Sequence, residues 1–183
     1  MVDLLGGLIA LLLLVVPIVV VAVLVRLTST GTVLYWSDRI GRKNVIFKMP
    51  KFRTMRMDTP AVATHLLPDP TSFLTPIGSF LRKSSLDELP QLWSILVGDM
   101  SFVGPRPALY NQVDLMELRT KQGVDALTPG LTGWAQVNGR DELPIPQKVA
   151  FDVQYLQRRS FWFDMRILWL TFVKVVRRDG VTH

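Results

Sequence analysis

The sequence has no cysteine among its 183 residues and only two histidines, His65 and His183. The missing thiols exclude a disulfide framework and thiolate metal sites, and they fit a reducing compartment. So few imidazoles argue against a His-rich metal site or a Ser-His-Asp triad. Charge is missing from one long stretch, Leu4–Val25. As a helix this run reaches about 33 Å, enough to cross a bilayer. No Lys or Arg precedes it and its apolar part is too long for a cleaved leader, so it reads as a membrane anchor. Pro17 removes one helix hydrogen bond near its middle and predicts a kink.

What is present is apolar and basic. Apolar residues make up 49% of the chain, the mean hydropathy is +0.28, and 21 Lys and Arg stand against 15 acids. That composition suits membrane contact and a length of one domain. Basic residues gather after the apolar run, at Arg26, Arg39, Arg42 and Lys43, which places the C-terminal side in the cytoplasm. Such residues attract anionic headgroups at about 1 kcal/mol each. The stretch shows no recognition-helix or RNA-binding pattern, so nucleic acid is not expected as a partner.

The chemistry concentrates between Ser84 and Pro107. Leu89, Leu92, Ile95 and Leu96 form one helical stripe, and Gly98 is its stop signal. Two caps compete at its start. Ser85 with Glu88 forms a capping box, but it would place Pro90 where a backbone N–H is needed; Asp87 as cap places Pro90 where none is. Asp87 at the cap would lie in the positive field of the helix N-terminus and stay ionised, suited to act as a nucleophile toward phosphate. A cation must then offset the repulsion between carboxylate and phosphate, and Mg²⁺ at Asp87 is the natural choice. Alone, Asp87 and Glu88 read more readily as a mere cap than as a catalytic pair. Arg106 lies between Pro105 and Pro107, so its guanidinium leaves a stiff turn whose direction is set, and its fork of donors fits a diphosphate.

These residues carry a resemblance. The stretch from Thr75 to Leu92 with Gly104-Pro-Arg-Pro, together with Lys51-Phe-Arg-Thr-Met, Pro129 to Arg140, and Phe151-Asp-Val-Gln-Tyr, resembles the bacterial sugar transferase family, the monotopic phosphoglycosyl transferases. The resemblance covers most of the chain after Gly31. It implies transfer of a sugar-1-phosphate from a UDP-sugar to a polyprenyl phosphate through an aspartyl-phosphosugar on Asp87. Glu88 would assist, Arg106 would bind the phosphates, and Arg53 and Arg140 are further substrate-binding candidates. The implied location is the cytoplasmic face of the bacterial inner membrane, among membrane lipids, with a re-entrant N-terminal helix and a role in surface glycan assembly such as exopolysaccharide.

The expected fold is an α-rich α+β, membrane-associated domain, with an N-terminal helix over 1–30 that is re-entrant or spanning and a transferase domain over 31–183. Val33–Trp36 and Val45–Phe47 predict a small β-hairpin around Gly41–Asn44. Residues 58–76, rich in proline, predict a long loop, either a lid or a surface excursion. Ala108–Val124 predicts an amphipathic helix ending at Gly123, and Pro144–Arg159 a helix with Val149, Val153 and Leu156 inward. Ser160–Arg178, aromatic and flanked by arginines, predicts an interfacial helix in which Asp164 must be paired or wet. Trp134 is expected in the core. Two other functions fit the bare pattern. One is a non-enzymatic anchored basic module that binds anionic lipid or a partner protein; the other is a UDP-sugar hydrolase.

Overall fold

The computed structural model describes residues 2–60, 69–139 and 143–177. It is rich in helix, with one long apolar helix at the N-terminus and two small sheets. Helix α1 runs over Val2–Thr28, about 40 Å at the usual rise, and Pro17 lies within it without ending it. One stripe of α1 packs on the rest of the chain. Ala10, Leu14 and Ile18 meet a cluster of Phe47, Met49, Leu92, Ile95 and Met100, while Val21 and Val25 join Phe52 and Leu81. The spacing of three and four along α1 keeps these residues on one face. The opposite face exposes Leu5, Leu12, Leu13, Val16 and Leu27.

Both ends of α1 are fastened to the same body. At its start the Asp3 carboxylate accepts from Ser101 Oγ at 3.0 Å and from the Phe102 backbone N–H at 3.1 Å. At its end, Arg53 donates to the carbonyls of Ser29, Thr30 and Thr32.

The hairpin forms where expected and is longer. Strands β1 (Leu34–Ile40) and β2 (Ile46–Phe52) pair antiparallel in a register that sets Tyr35 opposite Lys51 and Ile40 opposite Ile46. The turn closes through Gly41 N–H on Val45 C=O at 2.7 Å, with Lys43 and Asn44 in the left-handed region. Of the proline-rich loop, residues 61–68 fall outside the described residues; Pro70–Phe73 forms a 3₁₀ turn capped by the Asp69 carboxylate on Thr71 N–H.

Helix α2 (Gly78–Lys83) leads through Ser85 into a 3₁₀ segment, Leu86–Gln91, which continues as α3 (Leu92–Val97) and stops at Gly98 in the left-handed region. A second sheet, not foreseen from the sequence, pairs β3 (Ser101–Val103) in parallel with β4 (Gly130–Thr132). Three residues per strand are too few to display an alternating pattern. The helix expected over 108–124 is shorter, α4 (Val113–Lys121). The backbone just before it is drawn onto β1 instead, Ile40 N–H donating to Ala108 C=O.

Helices α5 (Trp134–Val137), α6 (Ile145–Arg158) and α7 (Phe161–Arg177) complete the chain. Val149 of α6 is buried, Val153 and Leu156 partly so, and Trp134 packs at 5.1 Å from Phe163. Helix α7 turns Phe163 and Ile167 inward and leaves Trp162, Trp169 and Phe172 exposed. Asp164 is paired: it accepts from Tyr155 Oη at 2.9 Å.

Candidate active site

Three elements converge on Asp87 and Glu88. Strand β2 supplies Lys51, whose Nζ lies 2.8 Å from Glu88 Oε1 and 3.8 Å from Asp87 Oδ2. The turn after β3 supplies Arg106, with Nη2 at 3.5 Å from the same Glu88 oxygen. Helix α2 supplies Arg82, which donates Nε–H to Thr54 Oγ1 at 3.0 Å and acts electrostatically on Asp87. Three cations around two carboxylates leave a local positive excess. Arg106 is the most open of the paired groups, 29% exposed against 11% for the Asp87 side chain, so an anion would enter from the Arg106 side.

Local backbone explains why Asp87 faces inward, and it corrects the expected cap. Asp87 is the second residue of the 3₁₀ segment, whose cap position is Ser85 at φ 57°, and no side chain caps that end. A left-handed serine costs of order 1 kcal/mol and turns the chain sharply between α2 and the 3₁₀ segment. Asp87 is therefore not the cap but a buried residue of the first turn, 7% exposed. Burial is the largest influence on it and holds its carboxyl above the ordinary carboxylate range. Lys51 pulls it back down, Glu88 pushes it up, and Arg82 and Arg106 pull it down again. The charge that Asp87 carries is thus supported by three side chains, Lys51, Arg82 and Arg106.

Of the other residues named from the sequence, Arg53 stands apart. It is 5% exposed, and its donors reach Thr32 C=O at 2.6 Å, Ser29 C=O at 3.2 Å, Ser29 Oγ at 2.9 Å and Thr30 C=O. It caps the C-terminal end of α1, where a cation satisfies orphan carbonyls and complements the dipole. Arg140 lies outside the described residues. Lys51 and Arg82 were the residues that sequence reasoning missed. Strand alternation sets Lys51 and Arg53 on the same side. Only their partners, the 3₁₀ segment for one and the end of α1 for the other, tell them apart.

Among the described residues no group of three or more His, Cys, Asp or Glu is placed to hold a metal ion alone. Asp87 and Glu88 supply the donor type that Mg²⁺ takes, one or two carboxylates together with substrate phosphates rather than an all-protein cage, and the anionic phosphates of a substrate would offset the surrounding cations.

A family described as bacterial sugar transferase matches residues 1–178. The uncharacterized sugar transferase EpsL of Bacillus subtilis is 41% identical over 159 residues, covering 86% of this chain and 76% of that protein. The UDP-galactose-lipid carrier transferase of Erwinia amylovora is 36% identical over 196 residues, which is 97% of this chain and 40% of the relative. The UDP-glucose:undecaprenyl-phosphate glucose-1-phosphate transferase of Escherichia coli is 39% identical over 163 residues, 84% of this chain and 35% of the relative. The chain therefore spans well under half the length of the last two.

Proposed function

The chain belongs to the bacterial sugar transferase family, and from that premise we propose that it moves a sugar-1-phosphate from a UDP-sugar to a polyprenyl phosphate, releasing UMP. The observation that carries this reading is the Asp87–Glu88 pair, Asp87 buried and Glu88 partly so, ringed by Lys51, Arg82 and Arg106. A soluble diphosphate donor needs a cationic receptor, and covalent transfer needs a carboxylate that can be ionised beside it. Two relatives carry names for this type of reaction, one with galactose and one with glucose.

In the proposed mechanism an Asp87 carboxylate oxygen attacks the phosphorus that bears the sugar. The bond from that phosphorus to the bridging oxygen breaks, and UMP leaves with the bond's electron pair. An oxygen of the lipid phosphate then attacks the same phosphorus, the acyl–phosphate bond breaks, and the Asp87 carboxylate is restored as polyprenyl-diphosphate-sugar departs. Arg106, at the open side, binds the diphosphate and faces the charge that builds on the leaving UMP. Lys51 holds Glu88 and biases Asp87 toward its ionised form, and Arg82 adds to that bias from the buried side. Asp87 and Glu88 would hold Mg²⁺, which when bound supplies charge to the phosphates and offsets their repulsion of the nucleophile. Arg140 remains a candidate substrate contact.

We also propose that the transferase works on one side of the membrane, the cytoplasmic face, as the basic residues after α1 suggest. Asp3 near the start of the helix binds Ser101 and Phe102, and Arg53 binds the segment just after it, so carrying the N-terminus to the far side would break one attachment, which supports this reading. Residues 1–30 then act as an in-plane or re-entrant anchor for the domain over 31–183, with the exposed aromatic face of α7 at the same interface.

The test is to incubate the protein with UDP-sugar and Mg²⁺ but no lipid, then digest it and weigh the peptides. A hexose-phosphate mass on the peptide containing Asp87, lost on adding polyprenyl phosphate, is expected. Product formation with no adduct and with ternary-complex kinetics would overturn the covalent mechanism.

A further inference from the structure

The turn that carries Arg106 has an unusual way of being held. Pro105 and Pro107 have no N–H, so neighbouring elements can grip this backbone chiefly through its carbonyls. Four consecutive carbonyls are gripped, each by a different donor: Pro105 by Gly130 N–H at 2.9 Å, Arg106 by Arg119 Nη1 at 2.8 Å, Pro107 by Arg39 Nη1 at 3.2 Å, and Ala108 by Ile40 N–H at 2.9 Å.

The donor on Arg106 itself is a side chain fixed by another side chain. Arg119, on α4, directs Nε and Nη2 at one oxygen of Asp152, on α6, at 2.9 and 2.8 Å. Asp152 is 1% exposed, and the Arg119 side chain 12%. A guanidinium so enclosed has no face to offer a substrate. A buried ion pair is also poor evidence for stability, because desolvation offsets its attraction. What distinguishes this pair is geometry: a planar fork with two donors on a carboxylate has its third nitrogen set in direction, and that nitrogen meets the carbonyl of the one arginine that opens on the carboxylate pair.

We propose that Arg119 and Asp152 are positioning residues of the transferase site: Asp152 orients Arg119, and Arg119 pins the Arg106 carbonyl so that the Arg106 side chain is aimed at Glu88 and the incoming diphosphate. The proposal rests on the transferase reading only for what Arg106 is aimed at. Three elements distant in the chain, α4, α6 and the turn after β3, are thereby tied into one support.

Two measurements on the full chain test this. Arg119→Lys keeps a charge for Asp152 but puts one nitrogen where three were. Deuterium uptake by the peptide spanning 104–109 should rise in this variant while uptake in β2 is unchanged. Turnover should fall about ten- to a hundredfold, as expected for a misaimed catalytic group, with a smaller change in the KM for UDP-sugar. In an Arg106→Lys background the same substitution should cost less than about twofold, since residues acting through one another are not additive. Should Arg119→Lys not fold, Asp152→Asn, which is isosteric and keeps an acceptor for Arg119, goes through the same cycle. Unchanged uptake at 104–109, or losses that multiply in the double variant, would overturn the proposal. Uptake that responds as expected in a protein that releases no UMP from any UDP-sugar would overturn the transferase reading and leave the positioning role standing.

Discussion

Arg53→Ala separates two roles for a residue that the sequence places near the chemistry and the structure places at the end of α1. The wild-type side chain makes four hydrogen bonds, to the carbonyls of Ser29, Thr30 and Thr32 and to Ser29 Oγ. Bonds from a charged donor contribute roughly 1.5–3 kcal/mol each, so four sum to about 6 kcal/mol at the low end. Water reaches part of this segment, since Thr30 and Thr32 are exposed, so replacement bonds halve the loss to about 3 kcal/mol. For a chain of this size that is a fall in Tm of about 6–12 °C. Thermal unfolding of detergent-solubilised protein, run beside UMP release at a temperature where both proteins are folded, reads the two effects separately. The cap role predicts a large fall in Tm and a smaller loss of turnover per folded molecule. A Tm within about 2 °C of wild type together with lost turnover would refute it and return Arg53 to the substrate.

Lys51→Met removes the strongest influence pulling the Asp87 carboxyl down, so Asp87 ionises only at higher pH and the acid limb of the kcat–pH profile moves toward neutral; an unmoved limb would refute the contact. Asp87→Asn should abolish turnover yet leave the fold as stable or about 0.5–2 kcal/mol more stable at neutral pH. The sign follows from burial: a carboxyl held above its unfolded value of 3.8 contributes stability below that value and loses it as pH rises through the folded value, so the advantage of Asn should vanish in acid when melting is followed against pH. Gly133→Ala should cost about 3 kcal/mol or prevent folding, because its Cβ would collide with the Gly104 carbonyl oxygen although the backbone there is extended. Gly98→Ala, with open space but φ +90°, should cost only about 1 kcal/mol in the same melting assay.

Local pattern carried much of the fold. The stripe through Leu92 and Ile95, the stop at Gly98, the hairpin around Gly41–Asn44 and helix α6 all follow from periodicity and turn chemistry acting over a few residues. Of the candidate site, the carboxylates and Arg106 were legible, and what surrounds them was not. Lys51 is 37 residues from Glu88, and Arg119 is 33 from Asp152. No window of sequence displays such pairings. The cap assigned to Asp87 failed for a related reason: Ser85 adopts a left-handed backbone that serine rarely favours in isolation, so the tertiary setting of α2 against the 3₁₀ segment overrode the local preference. Arg53 had the right composition and the wrong neighbour.

A helix riveted at both ends behaves as a keel rather than a tether. On the proposed placement at the membrane, the height of Asp87 above the acyl chains would be fixed by the rows of Leu14, Ile18, Val21 and Val25 bedded against the hairpin and α3, and not by the slack in the short connector to Leu34. Lengthening that connector would leave the draught of the vessel unchanged, whereas reshaping a single one of those rows would tilt the whole reaction chamber against the lipid surface.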